Sequence, residues 1–335
     1  MGRLIMGSSI RASVVIPSYE AGSLLLDALD SIQAQVGFSL GEDLEIVVAD
    51  DGSARPDSAH AMAIAASLTG VRVLRTPGRT GPSAARNLAA RHARGQWLSF
   101  LDADDLYSPD ALAVRWKVAQ EHADVGCVVT DYAEFPADAP FAPAGLTGVI
   151  AGTPSRRPAV QKSVDSGKVL VLDRPVLAFL RTMPMCTDSV FVRRDVFEAL
   201  GGFPERHQIG EDLHLYLRIA ATQRVAYVPR ITAYYRKGHA SLTTGEKAMN
   251  IKTSQCFEDL LQDPVMHSVA AELRSVIAEG YRSESYLSRQ AGLKHAALMH
   301  AWRALRWKPG EAANWLALFM TPFPARTPKA THVKA

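Results

Sequence analysis

Short apolar runs alternate with segments of helical periodicity over residues 12–130. Each run is rich in valine, isoleucine or leucine and ends in polar residues, which is typical of a buried strand. The predicted strands cover residues 13–16, 45–49, 71–74, 97–101 and 125–129. Strands that alternate with helices form parallel sheets with helices on both faces. The pattern therefore predicts an α/β fold with a mostly parallel sheet.

The segments between these runs have the boundaries of helices. Apolar residues from 24 to 32 have helical spacing. Residues 83–94 are predicted as a second helix that ends at Gly95, because glycine commonly terminates helices. A third helix is predicted from Ser108, a suitable N-cap, to about Glu121.

The alternation breaks between residues 133 and 170, where alanine, proline and glycine are frequent. A loop of this length inside a domain is commonly functional or disordered. Regular structure is expected to return as helices over 176–180, 195–201 and 211–222 and as strands over 189–192, 226–228 and 231–235. From about residue 246 the chain is mostly helical. We therefore expect a domain over 1–245, with a variable loop over 133–170, and a helical C-terminal extension over 246–335.

Two apolar patterns mark the predicted extension. One face of a predicted helix carries Leu287, Ala291, Leu298, Trp302 and Leu305. The apolar run over 315–320 is far too short to span a bilayer. It could lie on a membrane surface beside the basic tail or pack back on the body of the protein, and we favour the second alternative.

Composition narrows the class of protein. The 335 residues carry a formal net charge of only +3, which argues against a dedicated nucleic-acid binder. The three cysteines, Cys127, Cys186 and Cys256, are far apart and form no C-x-x-C motif, as expected for a reducing compartment. Residues 1–11 lack the apolar core of a secretory signal, and no apolar run is long enough to span a membrane. A cytoplasmic location is expected, with peripheral contact to the inner face of the cell membrane as an alternative.

Three carboxylates follow the predicted strand that ends at Leu101. Asp102, Asp104 and Asp105 are so close in sequence that their charges repel unless a cation lies among them. Open α/β sheets bind ligands at the carboxyl ends of their strands. The segment therefore predicts a site for a hard divalent metal. The alternative is a solvated acidic turn that caps the next helix.

Other polar segments are expected at the same edge of the sheet. Pro-Ser-Tyr-Glu over 17–20 and Asp-Asp-Gly-Ser over 50–53 follow predicted strands, and Glu211-Asp212 begins a helix. The segment over 81–87 adds a helix N-terminus and the fixed cation of Arg86, which both favour a diphosphate. Together they predict one crevice.

Six motifs occur in one order: Val-Val-Ile-Pro-Ser-Tyr-Glu, Asp-Asp-Gly-Ser, Gly-x-x-x-Ala-Arg-Asn, Phe-Leu-Asp-Ala-Asp-Asp, Gly-Gly-Phe and Glu-Asp. Over about residues 12–240 the sequence resembles the inverting glycosyltransferases of family 2, which have the GT-A fold. The resemblance implies an enzyme that moves a sugar from a nucleotide-diphosphate donor, preferably a UDP-sugar, to an acceptor hydroxyl. The acceptor would be a saccharide, a lipid-linked molecule or a small molecule.

The resemblance also implies a role for each matching position. The residues expected to bind the nucleotide sugar are Pro17, Ser18, Tyr19, Glu20, Asp50, Asp51, Gly52, Arg86, Asp102, Ala103 and Asp104. Asp50 would accept a hydrogen bond from the base, and Asp102 would contact the ribose or the sugar. Gly52 would let the backbone approach the donor closely because it has no Cβ. Arg86 would contact the diphosphate or the nucleotide.

The implied chemistry needs a cation and a base. Asp104, with Asp102 and His239, would hold Mn²⁺ or Mg²⁺, which neutralises charge on the leaving diphosphate. Asp212 would take the proton of the acceptor hydroxyl, and Glu211 would orient the acceptor or the loop. His239 comes one position later than in the family's usual Tyr-Arg-x-His. Either a bulge restores its place, or Lys237 or Arg236 takes the role.

Two other interpretations remain. Glu211 and Asp212 could be ordinary first-turn acids that the helix dipole favours. The chain could also be a non-catalytic protein of the same fold that binds a nucleotide sugar. A sugar-phosphate nucleotidyltransferase is disfavoured because no Gly-rich, basic loop follows the first strand, and a dinucleotide-binding dehydrogenase is disfavoured because G-x-G-x-x-G is absent there.

Overall fold

The computed structural model describes residues 10–137, 167–181, 185–238 and 249–323. Contacts divide the chain into two units, over residues 1–240 and 241–335. The first unit holds every described strand, and the second contains only helices in its described part.

One mixed sheet forms the centre of the first unit. Its strands are β1 (Ala12–Ser18), β2 (Leu44–Asp50), β3 (Val71–Arg75), β4 (Trp97–Phe100), β5 (Leu106–Tyr107), β6 (Val125–Pro136), β7 (Leu170–Asp173), β8 (Val190–Arg193) and β9 (Arg224–Lys237). Their order is β3-β2-β1-β4-β8-β6-β9-β5, and β7 also pairs with β9. Strands β1 to β4 pair in parallel, as do β6 and β9, whereas β8 is antiparallel to both of its neighbours. The expected mostly parallel α/β sheet is confirmed.

Helices connect and cover these strands. They are α1 (Ser23–Gln33), α2 (Pro56–Ser67), α3 (Pro82–His92), α4 (Ala111–Glu121), α5 (Val176–Arg181), α6 (Arg194–Ala199) and α7 (Glu211–Thr222). Every residue of β2 is buried, because side chains on both faces of this strand are covered. Continuous apolar runs in the sequence therefore correspond to central strands.

Several elements differ from the predictions. Strand β6 continues to Pro136 and β7 begins at Leu170, so the predicted loop over 133–170 is shorter at both ends. Two predicted strands form the single strand β9, because pairing with β6 resumes at Ile231 after a bulge. Short β5 and helix α2 were not predicted.

The second unit contains α8 (Met249–Leu260), α9 (Ala270–Gln290), α10 (Lys294–Trp307) and α11 (Ala312–Phe319), with a short 3₁₀ helix over Pro264–Val269. Helix α9 buries Leu273, Ile277 and Tyr281, and α10 buries small residues at 297, 301 and 304. No helix in the described ranges has both the length and the apolar character to cross a bilayer.

The single helix predicted across residues 287–305 is wrong. Helix α9 ends at Gln290, and Gly292 follows with a φ of 74°, which favours glycine. The large residues of the predicted face, Leu287, Leu298 and Trp302, are 46%, 46% and 51% exposed. The alanines of α10 are buried instead, because small residues allow close helix packing.

Candidate functional site

The polar segments that follow β1, β2 and β4 lie at one edge of the sheet. Ser18, the last residue of β1, is in register with Asp50, the last residue of β2. The amide of Leu101, just after β4, donates to the carbonyl of Val15 in β1 at 3.0 Å. Parallel pairing thus brings these three predicted segments together.

The segment after β1 presents an aromatic ring and an internal carboxylate. Tyr19 is 42% exposed, and the guanidinium of Arg79 lies 4.4 Å from its ring centroid. Glu20, in contrast, accepts hydrogen bonds from the amide of Ala54 at 2.7 Å and from Ser58 Oγ at 3.1 Å. The bond from the amide of Ala54 is the main cause that lowers the pKa of Glu20. Glu20 therefore joins the loops after β1 and β2, and its carboxylate is already used inside the protein.

The two aspartates at the end of β2 have different partners. Asp50 is buried. Its carboxylate accepts hydrogen bonds from the amide of Ser53 at 3.0 Å and from Arg75 Nη1 at 2.5 Å. Asp51 accepts hydrogen bonds from the backbone amides of Thr80 and Gly81, each at 2.8 Å. Asp51 thus shapes the loop that precedes α3.

Gly52 allows the β2 loop to contact that same segment. Its φ is 80°, and a Cβ there would lie 2.9 Å from the carbonyl carbon of Gly78. A side chain does not fit without backbone movement, so the expected close approach at Gly52 is made first of all to the protein's own chain.

Arg86 of α3 joins two of the predicted motifs. Its Nη2 donates to Asp102 Oδ1 at 2.7 Å, and its Nη1 donates to Glu211 Oε1 at 3.0 Å. Burial alone would lower the pKa of Arg86, but the carboxylates of Asp102 and Glu211 outweigh it and raise the pKa. This buried cation holds the end of β4 against the start of α7, although the two are far apart in sequence.

Asn87, the next residue in α3, positions the Gly-Gly-Phe segment. Its side-chain amide donates to the carbonyl of Phe203 at 2.8 Å, and its carbonyl accepts from the amide of Phe203 at 2.9 Å. The ring of Phe203 lies 5.3 Å from the guanidinium of Arg86. The motif thus lies directly beside Arg86.

Asp102, which pairs with Arg86, also belongs to a cluster of three carboxylates. Within the described ranges, Asp102, Asp105 and Asp188 each place an oxygen within 4.8 Å of the others. Asp188 Oδ1 accepts from the amide of Asp102 at 2.9 Å. Burial, followed by the charge of Asp102, raises the pKa of Asp188 to about 7. Burial and then the charge of Asp188 raise the pKa of Asp105.

This cluster fits a hard divalent cation. Two metal–oxygen bonds of about 2.0–2.6 Å span roughly 5 Å, which covers the separation of these oxygens. Asp105 Oδ2 is buried and has no hydrogen-bond partner among the described atoms. Burial, and after it the charges of neighbouring carboxylates, raise the pKa values of Asp105 and Asp188, and a bound cation would stabilise their ionised forms.

The ligand set differs from the predicted one. Asp102 is in the cluster and Asp104 is not, so a metal role for Asp104 stays a prediction. His239 lies outside the described residues. Sequence reasoning missed Asp188, which lies in the 3₁₀ helix Thr187–Ser189 just before β8. The only sequence signal for Asp188 is an acid directly before a strand.

Arg236, which we considered as a substitute for His239, supports the acidic turn instead. Its amide donates to Asp105 Oδ1 and its Nε donates to the carbonyl of Asp104, both at 2.7 Å. Its Nη2 lies 3.1 Å from Asp27 Oδ2. Arg236 is therefore a positioning residue for the turn.

The two acids at the start of α7 have raised pKa values. Burial, and then the charge of Asp212, raises the pKa of Glu211 to about 7. Desolvation is also the main cause that raises the pKa of Asp212, whose Oδ1 accepts from the amide of Leu213 at 2.7 Å. Ordinary first-turn acids are solvated, whereas Glu211 is buried and Asp212 is half-buried.

Comparison with known proteins identifies the domain. Residues 13–177 match the family described as Glycosyl transferase family 2. The chain contains a family 2 glycosyltransferase domain. The expected family resemblance is thereby confirmed for this region, which contains β1 to β7 but not Asp188, Glu211 or Asp212.

Two relatives match part of this family 2 domain. An uncharacterized glycosyltransferase of Rickettsia felis is 31% identical over 112 residues, which are 33% of this chain and 18% of the relative. The succinoglycan biosynthesis protein ExoO of Rhizobium meliloti is 36% identical over 98 residues, which are 29% of this chain and 26% of ExoO. The matches thus cover about a fifth to a quarter of the length of these relatives.

A solved structure extends the likeness beyond the family 2 domain. TarS of S. aureus, in complex with UDP-GlcNAc, superposes with a TM-score of 0.65 at 15% identity. The superposition covers 93% of this chain and 90% of that TarS chain. The expected GT-A fold with a helical C-terminal region is confirmed.

Proposed function

We propose that the family 2 domain transfers a sugar from a nucleotide-diphosphate donor to an acceptor hydroxyl, with inversion at the anomeric carbon. A UDP-sugar is the proposed donor, since the structural neighbour TarS is in complex with UDP-GlcNAc. The acceptor is proposed to be a saccharide, a lipid-linked molecule or a small molecule.

The observation that carries this proposal is the buried bridge from Arg86 to Asp102 and Glu211. A fold needs no buried cation between two acidic segments, because an apolar substitute is often as stable. The bridge keeps the metal-binding and proton-accepting parts of an active site at a fixed separation. It therefore supports a catalytic role over a solvated acidic turn.

The residues proposed to hold the cation are Asp102, Asp105 and Asp188, with Asp104 as the additional ligand expected from the family. Oxygen ligands favour Mg²⁺ or Mn²⁺. When bound, such an ion supplies a Lewis acid for the negative charge that develops on the diphosphate. Arg236 fixes the acidic turn through Asp105 and the carbonyl of Asp104.

The donor nucleotide is proposed to lie beside the ends of β1 and β2. The exposed ring of Tyr19 offers a flat apolar surface to a base. Asp50 is the proposed acceptor for a base N–H, and the hydrogen bond from Arg75 orients its carboxylate. Pro17 and Ser18 form the floor of this region as the last residues of β1.

Asp212 is the proposed general base. A raised pKa makes a carboxylate a stronger base, and a positioned base typically contributes about 10²–10⁴-fold to the rate. The proton of the acceptor hydroxyl would pass to Asp212 as the new glycosidic bond forms. Glu211 holds Arg86 and is the proposed orienting residue.

A panel of nucleotides tests the proposal. The melting temperature of the full chain is measured with UDP, GDP and their sugars, with and without Mn²⁺, because a ligand of the folded state raises it. Release of nucleoside diphosphate is then measured with the donor that binds. We expect metal-dependent stabilisation by a UDP-sugar and turnover with an acceptor pool. Binding without release from any pool would instead identify a non-catalytic nucleotide-sugar-binding protein.

A further inference from the structure

The second unit exposes most of the large apolar side chains that are exposed in the described parts of the chain. Eleven of them lie between residues 286 and 323, among them Leu298, Trp302, Trp315, Leu316, Phe319 and Phe323. Soluble proteins rarely concentrate such residues on one region unless it binds something.

Helix α11 presents the clearest part of this region. Trp315, Leu316 and Phe319 are 44%, 62% and 68% exposed, and together with Met320 they project from one side of the helix by its 3.6-residue period. The rings of Trp315 and Phe319 are stacked with centroids 6.4 Å apart. The opposite side carries Asn314, which is buried. The apolar run over 315–320 is predicted to pack back on the body of the protein. Its outer side is exposed instead.

Basic groups accompany the exposed apolar groups. Residues 286–323 contain Arg289, Lys294, Arg303, Arg306 and Lys308 but a single acid, Glu311. Glu311 is paired with Arg282 at 2.9 Å and with Lys308 at 3.3 Å.

Two of these cations touch the exposed apolar region. Arg289 Nε donates to the carbonyl of Phe323 at 3.0 Å, and the guanidinium of Arg306 lies 5.0 Å from the ring of Trp302. Aromatic and aliphatic groups bordered by arginine and lysine are typical of helices that lie in the interface of a bilayer.

We propose that this region, formed by the outer sides of α10 and α11 and by Phe323, docks on the surface of an anionic lipid bilayer. The apolar side chains would enter the headgroup boundary, and the basic side chains would meet lipid phosphates. The proposed contact is peripheral, because the apolar side chains reach only the headgroup boundary.

The positive charge of this region favours an anionic lipid surface as its partner over a second copy of the chain. A two-fold contact places the same surface on both sides, so it would bring the basic groups of α10 against each other. An anionic bilayer neutralises them instead. Trp302 and Trp315 also suit an interface, since the indole has an apolar body and a polar N–H.

Vesicle sedimentation of the full chain tests the proposal without any donor or turnover. Vesicles of phosphatidylcholine alone are compared with vesicles that contain phosphatidylglycerol, at low and high salt. We expect binding to the anionic vesicles that weakens with salt. The double variant Leu316→Glu/Phe319→Glu should bind at least tenfold more weakly, and Arg306→Gln roughly fivefold more weakly.

A matched control and a second measurement keep the test decisive. Val36 is an exposed apolar residue of the first unit, 54% exposed, and Val36→Glu should bind vesicles like the unchanged protein. Thermal melting confirms that the variants fold. The proposal is overturned if the protein ignores anionic vesicles or if the double variant binds as well as Val36→Glu. Light scattering that shows an oligomer, dissociated by the double variant without lipid, also overturns it in favour of a second copy.

Discussion

Asp188 accepts a hydrogen bond from the backbone N–H of Asp102 at 2.9 Å, although the two residues are 86 positions apart. Strand β8 makes this contact possible, because it lies antiparallel to β4 and its preceding turn reaches the β4 end. The hydrogen bond orients the first acid of the Asp-Ala-Asp-Asp turn. Asp188 thus both shapes the candidate metal site and contributes a carboxylate to it.

Removal of Asp188 tests the metal cluster. Asp188→Asn keeps the volume of the side chain but removes one negative charge, so we expect Mn²⁺ affinity to fall by about 10–100-fold. Asp104→Ala is measured beside it, since the family motif predicts that Asp104 is a ligand. Titration calorimetry with Mn²⁺ alone gives the affinities. The exposed Asp173, at the end of β7, provides the control Asp173→Asn, and equal affinities for Asp188→Asn and this control would remove Asp188 from the site.

Loss of Arg86 should damage both stability and activity. Arg86→Ala leaves Asp102 and Glu211 without their shared cation, and breaking a buried ion pair typically costs about 3–5 kcal/mol. Denaturant unfolding measures the loss. Arg91 lies on the same helix but is exposed, with Glu205 3.7 Å away, so Arg91→Ala should cost less than about 1 kcal/mol. Similar costs for the two variants would mean that the bridge does not stabilise the fold.

Gly52→Ala should destabilise the loop that follows β2. The φ of 80° and the 2.9 Å approach to Gly78 both oppose a side chain, at a cost of about 1–3 kcal/mol. Gly78, on the other side of the same contact, is a matched control because its added Cβ would meet no described atom within 4 Å. The two free energies of unfolding are compared. A Gly52→Ala variant as stable as Gly78→Ala would contradict the packing of this loop.

The pKa of Glu211 predicts how stability depends on pH. This pKa is raised from 4.5 to about 7, first by burial, so the folded state binds a proton that the unfolded state releases. Stability from this group is present below about pH 4.5 and is lost as pH rises through about 7. In unfolding curves from pH 5 to 8, the unchanged protein should lose stability more steeply than Glu211→Gln, by up to about 3 kcal/mol. Parallel profiles would show that Glu211 is ionised throughout.

Asp212→Asn separates chemistry from binding. The amide keeps the size of the side chain but cannot take a proton, so turnover should fall by about 10²–10⁴-fold while the donor-induced rise in melting temperature is kept. Asp195 is also a first-turn acid, in α6, and Asp195→Asn should leave turnover unchanged. If Asp212→Asn retained full turnover, another group would be the base.

The sequence was sufficient to predict which candidate residues lie at the ends of central strands. Asp50 and Asp102 follow continuous apolar runs, and parallel pairing then determines which edge they share. The contacts of Asp188 and Arg236 could not be predicted in this way. Asp188 bonds to a residue 86 positions away, and Arg236 bonds to one 131 positions away. No local pattern encodes a contact of that range.

The C-terminal helices show a second limit of sequence reasoning. The apolar pattern predicts that Leu298 and Trp302 share one helix face, but both are exposed. The buried side of α10 consists of Ala297, His300, Ala301 and Ala304. Periodicity identifies the sides of a helix but does not say which one meets a neighbour, since a surface that docks elsewhere has the same period.

The position of β8 between β4 and β6 has a consequence for how the protein can be divided. The family match ends at residue 177. A fragment that stopped there would keep β1 and β2 but would lack Asp188, the start of α7 and Arg236. Such a fragment would have a half-assembled acidic turn with neither its third carboxylate nor its supporting cation. A fragment that contains the whole candidate site must therefore extend at least to the end of β9.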